Sequence, residues 1–234
     1  MDEIDVARKR LIEAGRVLEH QGHGDMTRGH VSIRVPGVPG QFLMKPHSVG
    51  FDEITLDNML TFDLEGVVVA GTARPHSECF IHSEIFRARP DVNAVIHTHP
   101  TWTTALSVSG QTMRAINQGG AIFAGHLPVF DETMDLIRNQ AMGRRVAACL
   151  GPHHAVLMRS HGVTLAGETI EQAVVLAVML EEASRIQLLA AAAGADSWEF
   201  PAEDVARLRG NLMRPDQFVV NFEYLVRKVG RASF

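Results

Sequence analysis

Near the start of the chain, apolar residues recur at steps of three and four: Ile4, Ala7, Leu11, Ala14 and Leu18. That spacing lays them on one face of a helix, predicted to end near residues 20–24. A glycine-punctuated stretch follows, and the period then changes to two. Residues 31–35 read as an alternating strand closed by Pro36-Gly37 and Pro39-Gly40, with 41–45 as its hairpin partner. Residues 58–63 and 67–70 form a second strand pair, turned at Leu64-Glu65-Gly66. A helix is predicted from Pro75, where a missing N–H costs nothing, to about residue 88. A strand at 94–98 leads into a short helix at 101–108. Residues 113–117 and 124–129 are expected as short strands around Gly119-Gly120. A helix is expected over 131–150, with a break at Gly143. Strands at 155–158 and 163–166 flank the turn at 159–162. Thr169 with Gln172 makes a capping-box pattern that opens a long helix to about residue 193. Its segment 173–180 is apolar all round and so belongs between layers or at a subunit contact. The tail, 198–234, reads as loop and short helix. Strands interspersed with helices describe an α/β domain, and the hairpins imply a largely antiparallel sheet.

The 234 residues show no internal repeat and no low-complexity stretch, and they read as one domain, 1–234. A formal charge of -5, with basic residues scattered, gives no electrostatic footprint for nucleic acid. The longest apolar run, 173–180, is far short of a membrane span. The acidic N-terminus opens an amphipathic helix rather than a signal peptide, and Cys79 and Cys149 lack metal spacing. A cytoplasmic protein is the expectation.

The chemistry concentrates at element ends. His97 and His99 are two apart on a strand, so their side chains share a face, and Pro100 keeps His99 extended. Such a pair is either a strand-end feature or half a metal site. Glu78 falls in the first turn of its predicted helix, where the helix dipole favours the carboxylate. His161 is exposed on the turn between two strands.

With these residues in place, the chain resembles the class II aldolase and adducin family. Gly29-His30-Val31-Ser32-Ile33-Arg34 is similar to that family's glycine-asparagine-(apolar)-serine motif. Pro75-His76-Ser77-Glu78 is similar to its proline-serine-serine-glutamate motif, Arg89-Pro90-Asp91 through His99 to its histidine-x-histidine block, and His161-Gly162 to its last metal-ligand turn. The resemblance implies a three-layer α/β/α domain with a mostly antiparallel central sheet. It also implies a homo-oligomer with active sites at subunit contacts, and one divalent metal ion per subunit, Mn2+ or Zn2+. By the same resemblance His97, His99 and His161 are ligands, and Glu78 is a fourth ligand, a proton-transfer group, or both in turn. His82, one turn after Glu78, is either a supporting group or helix packing.

The departures from the family's pattern concern substrate. Where sugar-phosphate aldolases hold phosphate in loops of small residues, this chain has His30, Ser48 beside His47, and His76; Thr27 and Ser77 keep the pattern. Bulky side chains oppose the close backbone approach that a phosphate cradle needs. Gln118 stands where such aldolases carry a proton-transfer tyrosine. With Lys45, Ser48 and Arg74 nearby, the pocket is expected to suit a flat carboxylated small molecule. The resemblance then narrows to the family's decarboxylating subgroup, with Tyr224 in a similar tail. The implied substrate is a hydroxylated aromatic or pyridine dicarboxylate, such as 3-hydroxy-2-methylpyridine-4,5-dicarboxylate of vitamin B6 breakdown. Glu78, His30, His47 or His76 would supply the proton. The alternatives are a sugar-phosphate aldolase or epimerase, and a non-catalytic adducin-like interaction domain.

Overall fold

The computed structural model describes residues 2–194 and 198–232. Helix α1 (Glu3–Leu18) begins at Asp2, whose carboxylate accepts from the Asp5 amide at 2.7 Å, and it runs into a π-helical turn at Glu19–His23. Strands β1 (His30–Arg34), β2 (Gln41–Met44), β3 (Leu60–Asp63) and β4 (Val68–Ala70) follow as successive antiparallel neighbours. Helix α2 (Cys79–Ala88) then leads to β5 (Ala94–Thr98), α3 (Thr101–Ser109) and α4 (Gln118–Phe123). After β6 (Val129–Phe130) come α5 (Gln140–Leu150), β7 (Ala155–Met158), β8 (Gly162–Gly167), α6 (Ile170–Ala192), α7 (Ala202–Leu212) and α8 (Pro215–Ala232).

The strands form one sheet in the order β4-β3-β2-β1-β5-β8-β7-β6, antiparallel except for the short β6–β7 pair. Side chains alternate across it, and two apolar layers result. Ala94 and Ile96 of β5 join a cluster with α1, α3, α4, α6 and α8, whereas Val95 joins the opposite cluster with α2 and α5. The three-layer α/β/α arrangement and the mostly antiparallel sheet match expectation. The fully buried 173–177 stretch of α6 lies between layers.

Several local expectations are corrected. Residues 113–117 and 124–128 form no strand. Asn117 instead caps α4, its side chain accepting from the Gly120 amide at 2.7 Å. The helix expected over 131–150 is confined to α5, because Asn139 caps it by accepting from the Met142 amide at 3.0 Å and so defines a later start. Gly143 does not break that helix. It lets α5 lie close on α2, where an added Cβ would stand 2.4 Å from the Phe80 carbonyl oxygen. Helix α2 begins at Cys79, four residues after Pro75, which leaves Glu78 at the capping position with its side chain free for other partners. The tail consists of two helices, and Phe218, Phe222 and Leu225 of α8 are buried in the core; residues 233–234 lie outside the described residues.

Gly143→Ala is therefore expected to destabilise the fold by about 1–3 kcal/mol through overpacking, despite alanine's better helix propensity. Gly210→Ala on α7, with open space at its Cβ, is expected to gain up to about 1 kcal/mol. Denaturant unfolding of the two variants measures both.

Candidate metal centre and active-site cleft

At the end of β5 the chain leaves the sheet through Thr98, His99 and Pro100 and enters α3. The N-terminus of α3 is held by Glu181 of α6, whose carboxylate accepts from the Trp102 and Thr103 amides at 2.9 and 2.8 Å. His23, on the π-helical turn, bonds the Thr98 hydroxyl at 3.0 Å. Between these anchors His97 and His99 converge, their Nε2 atoms 3.1 Å apart. His161 completes a trio: its ring stacks on His99 at 5.3 Å and meets His97 edge-on at 4.9 Å. One nitrogen from each of the three lies within 4.8 Å of the others, and His30, Glu78 and His97 form a second such group. Gly162 makes this geometry possible, because a Cβ there would stand 2.3 Å from the Thr98 carbonyl oxygen.

The donor set fits a divalent cation. Burial lowers the pKa of all three imidazoles, His97 well below its ordinary value and His161 to about 4, so their lone pairs are available near neutral pH. The Nδ1 atoms of His97 and His99 are spoken for. His97 Nδ1 lies 3.1 Å from the Thr164 hydroxyl, which donates onward to Met158 Sδ at 3.4 Å, so Nδ1 is the donor and Nε2 faces the centre. His99 Nδ1 is 3.1 Å from the Asp25 carboxylate, which orients it in the same way. His161 Nδ1 is buried without a hydrogen-bond partner. Such an atom calls for a ligand.

Glu78 Oε1 accepts from the Ile137 amide at 2.9 Å and lies 3.9 Å from His161 Nε2, while Oε2 lies 3.6 Å from His30 Nε2. Burial raises its carboxyl to about 7, partly offset by the Ile137 hydrogen bond. Its proton is thus gained and lost near neutrality in the metal-free protein.

A cleft of about 560 Å³ opens onto these groups, and Thr27, His30, His47, His76, Ser77, Glu78, His99 and His161 line it together. His97 is fully buried behind them. The remaining expected contacts lie elsewhere. Lys45 is buried below the wall, its ammonium bonded to the Thr27 and Pro46 carbonyls and to His76 Nε2 at 3.1–3.2 Å, and burial lowers its pKa to about 8. Together with burial, Lys45 lowers His76 to about 3. Exposed Ser48 bonds His47 Nδ1 at 2.5 Å, and exposed Arg74 accepts the His47 amide on its backbone. Gln118 on α4 and half-exposed Tyr224 on α8 stand outside the cleft of the single chain.

Five contributors went unmarked in the sequence: Asp25, Arg28, Ser160, and Met134 and Leu136 from the 131–139 loop. The first two lie inside the glycine-punctuated stretch, whose density of turns was their only signal. The three non-glycine residues with positive φ among those described, Met26, Ser48 and Ser160, each adjoin a cleft residue.

Known proteins share this chain's sequence pattern and fold. The family described as class II aldolase and adducin N-terminal domain matches residues 9–188. A 3,4-dihydroxyphthalate decarboxylase from Arthrobacter keyseri is 31% identical over 216 residues, covering 86% of each chain. Decarboxylase NovR from Streptomyces niveus is 35% identical over 188 residues, covering 80% of this chain and 69% of its own. Among solved structures, the L-fuculose 1-phosphate aldolase of Glaciozyma antarctica PI12 superimposes with a TM-score of 0.87 at 25% identity, covering 98% of this chain and 90% of its own.

The raised Glu78 pKa makes a prediction for the metal-free protein. The unfolded carboxyl ionises near 4.5 and the folded one near 7, so the folded state holds the extra proton. Stability therefore falls as pH rises through that window. Glu78→Gln removes this loss. In chelator it is expected to be more stable than the parent at pH 8, by on the order of 1–3 kcal/mol, and to show little difference at pH 4. Denaturant titrations at the two pH values provide the check.

Proposed function

The chain belongs to the class II aldolase and adducin N-terminal domain family, and from that premise we propose that it is a divalent-metal-dependent decarboxylase of a hydroxylated aromatic dicarboxylate. It is a carbon–carbon lyase, as its relatives named as decarboxylases and aldolases indicate. The observation that carries the choice of decarboxylation is the cleft wall. His30, His76 and His47 follow one another at ring-centroid distances of 4.8 and 5.2 Å where a phosphate cradle would need open backbone. The names of the two decarboxylase relatives support the same reading, and that of the Arthrobacter protein favours a benzene over a pyridine ring.

On this reading His97, His99 and His161 hold one Mn2+ or Zn2+, with Glu78 as a fourth donor or a proton carrier. When bound, the ion supplies Lewis-acid charge for the substrate's hydroxyl and carboxylate oxygens. The chain's residues do the rest. Arg28 is the one arginine or lysine lining the cleft among the described residues. Its guanidinium bonds Asp25 at 2.8 Å and its charge reaches His99 and His161. The side chain is 63% exposed, so it keeps donors for the carboxylate that the substrate retains. Met134 and Leu136 offer apolar contact to the ring at the rim. Glu78 delivers a proton to the ring carbon that bears the departing carboxylate, while His30, which burial holds uncharged, donates a hydrogen bond to the substrate from Nε2. The bond to that carboxylate then breaks, its electrons return to the ring, and carbon dioxide leaves. Thr27, His47, His76 and Ser77 bound the substrate, with Lys45, Ser48 and Arg74 holding that wall.

A homo-oligomer with sites at subunit contacts belongs to this reading, and Tyr224 and Gln118 are candidates to meet a neighbouring subunit. Free thiols at Cys79 and Cys149 suit a reducing, cytoplasmic setting. No helix among the described residues is long and apolar enough to cross a membrane. The second reading, a sugar-phosphate aldolase, draws on the likeness to the Glaciozyma enzyme.

Metal-loaded protein assayed against 3,4-dihydroxyphthalate, 3-hydroxy-2-methylpyridine-4,5-dicarboxylate and L-fuculose 1-phosphate separates the readings. Carbon dioxide from an aromatic acid is expected; aldehyde from the sugar phosphate with no carbon dioxide from either acid overturns the proposal. Arg28→Ala is expected to raise KM for the dicarboxylate by about 10- to 100-fold, for one lost charge-assisted pair. It should leave the KM of a matching monocarboxylate within about threefold. Steady-state kinetics on the two acids tests this.

A further inference from the structure

His82 has no place in the cleft or among the metal-ligand candidates. His82, in the second turn of α2, is fully buried and stacked against Phe42 at 6.4 Å, in a layer otherwise rich in phenylalanine and aliphatic side chains. Both of its ring nitrogens are bonded. Nδ1 lies 2.6 Å from the Ser32 hydroxyl and Nε2 lies 2.6 Å from His30 Nδ1. His30 and Ser32 are two apart on β1 and face the same side of the sheet, so α2 lays one imidazole across both. At the far end of this chain, His30 Nε2 is buried without a hydrogen-bond partner and stands 3.6 Å from Glu78.

A neutral imidazole carries a single N–H, so a hydrogen bond at one nitrogen decides the state of the other. If His30 Nδ1 accepts from His82 Nε2–H, then His30 Nε2 is the N–H. His82 Nδ1 is in that case an acceptor, and the Ser32 hydroxyl supplies the hydrogen it requires. Serine can do this because its hydroxyl rotates; its other neighbour, the Val95 carbonyl oxygen, is at the longer distance of 3.5 Å. The donors then run in one direction, from Ser32 through His82 and His30 toward the Glu78 carboxylate. Burial keeps the His82 ring uncharged, lowering it to about 3, so it passes on a tautomer rather than a charge.

We propose that His82, seated on Ser32, is a positioning residue that locks His30 in its Nε2–H tautomer and presents that N–H to the substrate on the cleft side. The proposal rests on the reading of His30 as a group that touches substrate. An apolar side chain in the same place would leave His30 Nδ1 free to take the proton and the ring free to turn.

The test uses zinc-loaded protein, which is diamagnetic, with the nitrogens of histidine labelled. In the parent, the His30 resonances are expected to show a single fixed Nε2–H tautomer. In His82→Leu they are expected to shift toward an averaged tautomer, while kcat for the dicarboxylate falls on the order of 100-fold and KM stays within about threefold. His82→Gln, whose amide nitrogen can still donate to His30 Nδ1, is expected to recover most of the lost kcat and the fixed tautomer. Ser32→Ala, which leaves the layer's packing intact, is expected to move both readouts in the same direction by a smaller amount. An unchanged His30 tautomer in both His82→Leu and Ser32→Ala overturns the proposal, as does a parental kcat in His82→Leu. Equal losses in the Leu and Gln variants, with the tautomer kept, also overturn it by showing that His82 only packs. If no acid yields carbon dioxide, the decarboxylase reading fails, and the nitrogen spectra alone still decide whether His82 sets His30.

Discussion

The cleft depends on the register of β5 between its two antiparallel neighbours. His97 lies opposite His30 on β1 and opposite Thr164 on β8, so one strand pairing brings a second imidazole to the centre and the other brings the hydroxyl that orients His97. Side chains alternate along a strand, and a slip of one residue would turn His97 into the α1 and α6 layer and put Ile96 in its place. The apolar residues before it prevent this. Ala94 and Ile96 are fully buried on one side and Val95 on the other, so no shifted pairing buries all three where they fit. The fold's own core thus sets the position of its most polar cluster.

Burial does chemical work in that cluster. An imidazole removed from water loses its proton readily, and a carboxyl removed from water keeps it. Histidines beside a cation need free lone pairs, and a proton carrier needs a pKa near neutrality; the same low-polarity surroundings supply both. They also explain why Lys45 contributes no charge at the surface of the wall. Its ammonium is satisfied by two carbonyls and His76, so it serves as a rivet between the Thr27 and His76 loops. Fixed positive charge is left to Arg28 at the exposed mouth, where hydration keeps it inexpensive.

Much of this was legible in the sequence where one period dominated. Helix α1, the first four strands, β5, β7, β8 and α6 all follow from spacing, and the paired histidines drew attention to the right strand end. The failures share a cause. Around Asn117 and Asn139 the apolar content suggested strand and helix respectively, while the asparagines were passed over as caps, and a cap decides where a helix starts more sharply than hydrophobicity does. Misreading 131–139 as helix hid Met134, Leu136 and the Ile137 amide that holds Glu78. Lys45 and Arg28 show a different limit. Both are basic residues close to the motif in sequence, and only the fold distinguishes the one beneath the wall from the one lining it. Asp25 and His82 act through histidines distant in sequence, across separations of 74 and 52 residues, which no local pattern encodes.

The nature of the wall bears on which anion it can hold. A phosphate monoester carries up to two negative charges spread over three oxygens, and it is held where several N–H groups converge, as in a nest of backbone amides. Neutral histidines are poor substitutes, since each offers at most one N–H where a nest of backbone amides offers several. What the three rings do offer is polarisable aromatic surface, tilted ring against ring at 57° and 48°, with Met134 and Leu136 lining the same cleft. A planar carboxylated ring can pack against aromatic and apolar side chains and needs only one or two donors at its edge. Retro-aldol cleavage and decarboxylation both leave an electron pair on carbon that an adjacent oxygen must take up. A family can therefore keep the same cationic centre for either reaction. The choice between them then falls to the residues that decide which molecule packs against the wall, and on the proposed reading those are His30, His47 and His76, with Arg28 at the edge.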